Sequence, residues 1–242
     1  EEIAKSDRPE LAGAKRVVSV DLNRHMRPKL LLACAQRLGQ CVTQIAKAVD
    51  GDVEEIRARH ARMLEKLTTS GNLAAATDGV VEYHAPMDAT RTGFAENQFD
   101  CIFSNSVLEH VPPDVIDAMY VEALRILDAN GVMFHSVNCG DHYAYVDRSI
   151  HQLHYLRYSD AQWTRWNNAF LYQNRMRAHV FVERAEDLGF QILLNTAKPS
   201  ELRMQQLAST PVHAQFAGIP PERLCITSVD FIARKIGRSD PA

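Results

Sequence analysis

The sequence lacks several features that mark particular classes of protein. Its 242 residues contain no apolar run that approaches the length of a membrane-spanning helix, and the acidic N-terminus does not resemble a signal peptide. There is no basic excess, because the net charge is −3, and this argues against a protein that binds a nucleic-acid backbone. The Gly-x-Ser-x-Gly elbow of serine hydrolases is also absent.

Cysteine is scarce, and histidine does not follow a metal-binding spacing. The five cysteines are scattered along the chain and odd in number: Cys34, Cys41, Cys101, Cys139 and Cys225. Such a set is typical of reduced thiols, so we predict a cytoplasmic protein. His151 and His154 lie three residues apart near Asp141 and His142, but this spacing matches no zinc pattern. We therefore predict no metal site.

Length and composition fit an ordinary globular protein. The hydrophobic content of 46% and the charged content of 24% allow a large core. A chain of this length fits one α/β domain or a domain with a sizeable insertion. No repeat, linker or low-complexity segment interrupts it, so we predict a single domain over residues 1–242.

The most informative stretch runs from residue 99 to residue 138. It opens with the apolar run 99–103, which predicts a buried central strand of a parallel sheet. The small polar residues 104–106 follow at the carboxyl end of that strand, where open α/β sheets bind ligands. A helix pattern over 115–127, an Asn-Gly turn and a second strand over 132–138 complete a βαβ unit.

The residues of this stretch resemble the core of class I S-adenosylmethionine-dependent methyltransferases. Those proteins often read Phe-Asp-x-Ile, then Leu-Glu-His, then a helix with Arg-x-Leu, a Gly-Gly turn and another strand. The matching residues here are Phe99-Asp100-Cys101-Ile102, Leu108-Glu109-His110 and Arg125-Ile126-Leu127, with Asn130-Gly131 at the turn. The resemblance implies methyl transfer from S-adenosylmethionine to a small-molecule acceptor.

The resemblance also implies the fold class. We expect an α/β protein with a Rossmann-like methyltransferase sheet, mostly parallel, with a late antiparallel strand over residues 227–235. Residues 28–69 read as an inserted helical hairpin, which is either a surface element on the sheet edge or a lid or dimer surface. The first strand and glycine-rich cofactor loop of the family are expected upstream of residues 1–14. No Gly-x-Gly occurs near the N-terminus, so we expect both to be missing from this chain. Either the chain is part of a longer protein, which we favour, or the domain has lost its cofactor loop.

Two aspartates take cofactor roles through the resemblance. Asp21 ends the strand over 16–21 and matches the acid that holds the ribose hydroxyls, as in dinucleotide-binding folds. Asp88 follows the strand over 80–84 and matches the acid at the adenine amino group. A cap or turn acid would give the same pattern at either position. The predicted cofactor-binding set is Asp21, Leu22, Met87, Asp88, Ala89, Asn105 and Ser106.

Residues 139–178 are the most aromatic and histidine-rich part of the chain. We predict a substrate-side cap, because the segment follows the fifth strand of the family's sheet; a purely structural cap is an equal alternative. The predicted catalytic residues are His142, as a general base, and Tyr143, although a loop histidine bonded to backbone would look the same. The predicted substrate-binding residues are His110, Asp141, Tyr145, Trp163, Asn174 and Arg175.

The predicted function is therefore that of an S-adenosylmethionine-dependent methyltransferase. Its predicted partner is a small-molecule substrate, and we predict no binding to nucleic acid or membrane. The sequence leaves open whether the protein forms a homodimer. The alternative is a non-catalytic methyltransferase-like binding or dimerisation module, and the glycine loop is the feature that separates the two. A nicotinamide enzyme would share the ribose-binding acid, but the Leu-Glu-His segment and the late antiparallel strand argue against it.

Overall fold

The computed structural model describes residues 11–168 and 172–236. By its packing the chain divides into two compact units, Glu1–Thr92 and Gly93–Ala242, and each is described by itself. The single domain expected from the sequence stays a prediction. Within the described ranges, no helix combines the length and the apolar character needed to cross a membrane.

The first unit is built on a pair of parallel strands. Strands β1 (Val17–Val20) and β2 (Val81–His84) pair in register, with Val17 opposite Val81 and Val20 opposite His84. Both were predicted, because short runs rich in β-branched residues favour strands. Four helices connect them: α1 (Pro28–Leu38), α2 (Val42–Ala48), α3 (Val53–Ser70) and α4 (Leu73–Ala76).

Local signals in the sequence set the helix ends in this unit. Pro28 occupies the first turn of α1, where its missing N–H costs nothing. Asp52 caps α3 by accepting from the backbone N–H groups of Glu54 and Glu55 at 2.7 and 3.0 Å, and Gly71 ends that helix at φ 61°. The predicted helices over 28–69 are thus present, with a 3-10 turn at Gly39–Cys41 in the first.

The helices carry the core of the first unit. Their buried apolar residues include Leu31, Ala35, Ile56, Met63 and Leu67, and these join the strand residues Val17 and Val81 in one cluster. This packing fits the alternative in which the helical segment is structural, because its apolar stripe is already covered within the unit.

The second unit contains a four-stranded sheet in the order β3-β4-β6-β5. Its strands are β3 (Phe99–Asn105), β4 (Leu127–Asn138), β5 (Phe190–Asn195) and β6 (Ser228–Lys235). Strand β3 runs parallel to β4, whereas β6 is antiparallel to both β4 and β5. The predicted late antiparallel strand is confirmed. The helices are α5 (Pro113–Ile126), α6 (Asp160–Trp163), α7 (Ala178–Asp187), α8 (Glu201–Ala208) and α9 (Pro221–Leu224).

The prediction that residues 99–103 form a buried central strand is wrong in this sheet. β3 pairs only with β4 in the described part of the chain and is therefore an edge strand. Phe103 is 42% exposed, and the Cys101 thiol that was expected in a buried strand is exposed as well. An apolar run predicts a strand but does not say how many neighbours the strand has.

Two local boundaries also differ from the prediction. The expected turn at 128–131 lies within β4 as an irregularity, since Phe99 pairs with Leu127 while Cys101 pairs with Val132. The sequence also predicts a helix over 160–170 with Ser159 as its cap. In the structure this helix ends at Trp163, and Ser159 and Gln162 form a capping box at its start. The far end of that helix prediction falls on residues outside the described ranges.

A histidine lies in the core of the second unit. His135 on β4 is 4% exposed, between the rings of Tyr120 at 5.7 Å and Phe231 at 5.3 Å. Its Nδ1 lies 2.7 Å from the Ser104 hydroxyl. Burial lowers the pKa of His135 to about 4, because a charged imidazolium would lose its hydration there.

The stability of the protein is expected to fall between pH 7.5 and pH 5, and His135 should supply about 2 kcal/mol of that loss. The unfolded chain binds a proton at His135 near pH 6.5, whereas the folded chain resists protonation until about pH 4. Acid therefore favours unfolding over this window. Urea denaturation of a His135→Gln variant should show the shallower pH dependence. The exposed His25→Gln serves as control, and an equal slope in wild type and His135→Gln would contradict the assignment.

Candidate functional site

Backbone hydrogen bonds bring the predicted ribose acid and the loop after β2 together. The Asp21 N–H donates to the His84 carbonyl at 3.1 Å, which continues the β1–β2 ladder past the end of β1. The Met87 N–H donates back to the Asp21 carbonyl at 2.8 Å. Asp21, Met87 and Asp88 thus lie at the carboxyl ends of two parallel strands, which is where such sheets bind ligands.

A tyrosine that the sequence analysis did not single out fixes the Asp21 carboxylate. The Tyr83 hydroxyl donates to Asp21 Oδ2 at 2.7 Å and accepts from the His25 N–H at 3.1 Å. The other oxygen, Oδ1, accepts no hydrogen bond from any described residue, and neighbouring Leu22 is 68% exposed. A carboxylate oxygen open to hydroxyl donors beside apolar surface fits the ribose and adenine of an adenosine group.

Asp88 is exposed, and its side chain forms hydrogen bonds with Thr90, two residues further along the chain. Its Oδ1 accepts from the Thr90 N–H and the Thr90 hydroxyl, both at 2.8 Å, and these bonds lower the pKa of Asp88. This is the turn role that the sequence left open as an alternative. The adenine contact of Asp88, and the places of Met87 and Ala89 beside the ring, stay predictions.

A polar cavity of about 370 Å³ lies at the carboxyl ends of β3 and β4 in the second unit. Ser106 follows β3 at φ 54° and donates its N–H to the Ser136 carbonyl at 2.8 Å, which places it beside the end of β4. The residues around the cavity are Ser106, Ser136, Val137, Asn138, Tyr145, Gln152, Arg203, Thr227 and Ser228. Ser106 and Tyr145 were predicted site residues.

Side chains from distant segments order the wall of this cavity. The Tyr145 hydroxyl accepts from Asn138 Nδ2 at 2.5 Å and from Gln152 Nε2 at 3.4 Å. Arg203 donates to Gln152 Oε1 at 2.6 Å. Gln152 and Arg203 were not predicted as site residues, because no local sequence pattern relates them to the strand ends. Only the fold brings them to the wall of this cavity.

A second cluster at the same ends of the strands joins two predicted residues to a third. Glu109 and His110 lie in the 3-10 turn Leu108–His110 after β3, and His142 begins the 3-10 turn His142–Tyr145 after β4. One ligand atom from each of the three lies within 4.8 Å of the others. The rings of His110 and His142 are 5.0 Å apart, edge to face.

The electrostatics of His142 do not suit a strong base. Burial, and secondarily the neighbouring His110, lower the pKa of His142 to about 4. The ring is therefore neutral at neutral pH and a weak proton acceptor, since a general base works best with a pKa near the working pH. Its Nε2 is buried and has no hydrogen-bond partner in the described part of the chain.

Two predicted site residues shape the turn around His142. Asp141 is 1% exposed, and its Oδ1 accepts from the Tyr143 N–H at 2.9 Å, which caps the turn. Burial raises the pKa of Asp141 to about 6. The Tyr143 hydroxyl donates to the Trp166 carbonyl at 2.8 Å, and its ring packs edge to face on Trp163. These contacts hold the backbone of the turn.

The remaining predicted substrate residues are buried and bond to backbone. Asn174 Nδ2 donates to the carbonyls of Leu108 and Val111 at 2.7 and 2.8 Å. Trp163 Nε1 donates to the Gln173 carbonyl at 3.1 Å. Arg175 donates to the Tyr155 carbonyl at 3.0 Å, and its guanidinium lies over Trp163. In this structure the three side chains position the loops around the site.

Comparison with known proteins gives a domain match and structural neighbours. A family profile described as a methyltransferase domain matches residues 61–135. No curated protein matches the sequence significantly. A solved SAM-dependent methyltransferase from Methanosarcina mazei aligns with a TM-score of 0.51 at 15% identity, over 97% of this chain and 89% of that chain. That likeness shows the fold.

Two further solved structures are more distant. Geranyl diphosphate C-methyltransferase from Streptomyces coelicolor, solved with Mg²⁺, geranyl diphosphate and S-adenosylhomocysteine, aligns with a TM-score of 0.41 at 13% identity, over 76% of this chain and 61% of that one. A Burkholderia thailandensis 1,6-didemethyltoxoflavin N1-methyltransferase aligns with a TM-score of 0.40 at 14% identity, over 67% and 54%. The chain thus spans less than two thirds of the length of both.

Proposed function

We propose that this chain is a class I S-adenosylmethionine-dependent methyltransferase that methylates a small-molecule acceptor. The methyltransferase-domain match over residues 61–135 and the shared fold support the proposal. S-adenosylmethionine supplies an electrophilic methyl group on a sulfonium. Transfer of that group is an in-line displacement, to which a protein contributes mainly proximity and orientation. The chain's task is therefore to hold the cofactor and the acceptor.

The arrangement of Asp21 carries the cofactor part of the proposal. Tyr83 holds one carboxylate oxygen of Asp21, and the second oxygen faces no donor in the described residues. We assign Asp21 to the ribose hydroxyls, with Leu22 and Met87 as the apolar neighbours of the adenine. Asn105 and Ser106 of the second unit stay predicted cofactor residues.

The polar cavity at the ends of β3 and β4 supports the proposal that the methyl acceptor is a small molecule. Its volume of about 370 Å³ lies at the lower end of the range for small-molecule pockets. Asn138, Tyr145, Gln152 and Arg203 offer hydrogen-bond donors and acceptors around it, which suits a polar molecule. In this proposal Trp163, Asn174 and Arg175 act as positioning residues, because their polar groups are engaged with backbone.

Replacing Asp21 with alanine is expected to weaken binding of S-adenosylhomocysteine by about ten- to a hundredfold. Hydrogen bonds to a charged group contribute about 1.5–3 kcal/mol each, partly offset by the water that they replace, and each 1.4 kcal/mol is about a factor of ten in affinity. Asp21→Asn keeps the shape but loses the charge and should fall between. Isothermal titration calorimetry on the full chain measures the change.

The matched control for this experiment is Asp78→Asn in the same unit. Asp78 is an exposed loop acid at φ 53°, a backbone conformation that asparagine tolerates, and its carboxylate pairs with Lys66 at 2.6 Å. It should leave the affinity unchanged. If Asp21→Ala instead unfolds the protein and keeps the affinity per folded molecule, Asp21 is a structural cap. Wild-type protein that binds a nicotinamide dinucleotide and no S-adenosylhomocysteine would overturn the function.

A further inference from the structure

We propose that Glu109, His110 and His142 form a binding site for a divalent transition-metal ion of the zinc type. The sequence predicts no metal site, because the spacing of His151 and His154 near Asp141 and His142 matches no zinc pattern. The fold nevertheless brings Glu109, His110 and His142 together, and one ligand atom from each lies within 4.8 Å of the other two. Ligands of one tetrahedral zinc ion lie about 3.3 Å apart, so small side-chain rotations would close the set.

The hydrogen bonds of the two histidines leave nitrogen atoms available. His110 Nδ1 lies 2.7 Å from the Tyr172 carbonyl, so Nδ1 carries the proton and Nε2 keeps its lone pair. A backbone carbonyl in this place is the usual orienting partner of a metal-bound imidazole. The buried Nε2 of His142 has no hydrogen-bond partner in the described ranges. The Nε2 atoms of His110 and His142 can therefore bind a cation without breaking an existing hydrogen bond.

The chain fixes the two loops that carry the ligands. Asn174 donates to the Leu108 and Val111 carbonyls on either side of Glu109 and His110. Gln173 accepts from the His142 N–H at 3.2 Å and donates to the Gly140 carbonyl at 2.6 Å. The adjacent residues Gln173 and Asn174 thus hold both loops. Ligands fixed in this way bind a metal ion more tightly than mobile surface histidines do.

The ligand types indicate the class of ion. Two imidazoles and one carboxylate are the protein ligands of several catalytic zinc sites, which keep a further position open for water or substrate. Imidazole suits zinc, iron, cobalt and nickel, whereas magnesium and calcium prefer oxygen ligands only. Glu109 is 1% exposed, and its carboxylate supplies the oxygen ligand of such a set.

The site does not depend on the cofactor assignment, because its ligands and its test involve the cation alone. It lies at the carboxyl ends of β3 and β4, as the polar cavity does. The open position on the ion would accept an oxygen atom, either from water or from an acceptor that carries a hydroxyl, enol or carboxylate group.

Calorimetric titration of the chelator-stripped full chain with Zn²⁺ tests the proposal, and Co²⁺ absorption reports the ligand type. Wild type should bind one ion per chain. Loss of a residue that only orients a metal ligand lowers metal affinity by about 10- to 100-fold, so removal of a direct ligand should lower it by at least about 100-fold. That loss is expected for His110→Ala, His142→Ala and Glu109→Gln. His110 is exposed, so its replacement should leave the fold intact, which circular dichroism can verify.

The half-buried His213→Ala, outside the cluster, is the matched control and should bind Zn²⁺ as wild type does. Mg²⁺ should produce no comparable heat. A near-ultraviolet charge-transfer band with Co²⁺ would instead indicate thiolate ligands from the free cysteines. Absence of stoichiometric Zn²⁺ binding in wild type, a thiolate band, or wild-type affinity in the three ligand variants would each overturn the site.

Discussion

Replacing Arg177 with alanine is expected to lower the free energy of unfolding by about 3–5 kcal/mol. The change leaves a cavity, and buried acceptors lose the hydrogen-bond donor that the guanidinium provides. Arg177 is 1% exposed, and its guanidinium joins three parts of the second unit. It donates to the Cys139 carbonyl after β4 at 2.8 Å and to the Tyr155 hydroxyl at 2.7 Å. It also donates to the Ile226 carbonyl before β6.

The size of the loss depends on which acceptors keep a partner. Cys139 still accepts from the Tyr155 hydroxyl at 2.6 Å, but Ile226 loses the donor that Arg177 provides. The variant also recovers the cost of burying a charge, which reduces the net effect. Arg177→Met fills most of the volume and should therefore lose less than Arg177→Ala.

Urea denaturation monitored by circular dichroism measures both variants. The exposed Arg148→Ala, in the same cap segment, is the control and should stay within about 0.5 kcal/mol of wild type. An Arg177→Ala protein as stable as the control would show that the guanidinium network contributes little to the fold.

Replacing His142 with alanine is expected to lower turnover by about 100-fold or more, whether the side chain binds a metal ion or accepts a proton. Affinity for S-adenosylhomocysteine should change far less, because His142 is assigned to the acceptor and not to the cofactor. Formation of S-adenosylhomocysteine, followed with any acceptor that wild type methylates, measures turnover; calorimetry measures affinity. His213→Ala should keep both values.

Two roles of His142 give different metal dependence. As a metal ligand it makes wild-type turnover sensitive to a chelator and restorable by Zn²⁺, and the His142→Ala variant should not respond to either. As a proton acceptor it leaves wild-type turnover indifferent to the chelator. Unchanged turnover in His142→Ala would remove the residue from the mechanism altogether.

The sequence indicated the methyltransferase-like fold and the order of most elements. Those signals are local: an apolar run, a capping residue or a Leu-Glu-His segment lies within a few residues of the structure that it specifies. Asp21 could be placed at the end of β1 for the same reason. The antiparallel direction of β6 was also predicted, although it came from the resemblance and not from the residues of the strand.

The contacts between residues that are far apart in sequence became known only from the three-dimensional structure. The partner of Asp21 is Tyr83, 62 positions away, and Arg203 reaches Gln152 across 51 positions. The exposure of β3 follows from its single neighbour, which its own residues do not encode. Glu109, His110 and His142 become one cluster only because β3 and β4 are parallel and end at the same edge of the sheet. Periodicity reports which face of an element is apolar, whereas pairing and packing decide what that face meets.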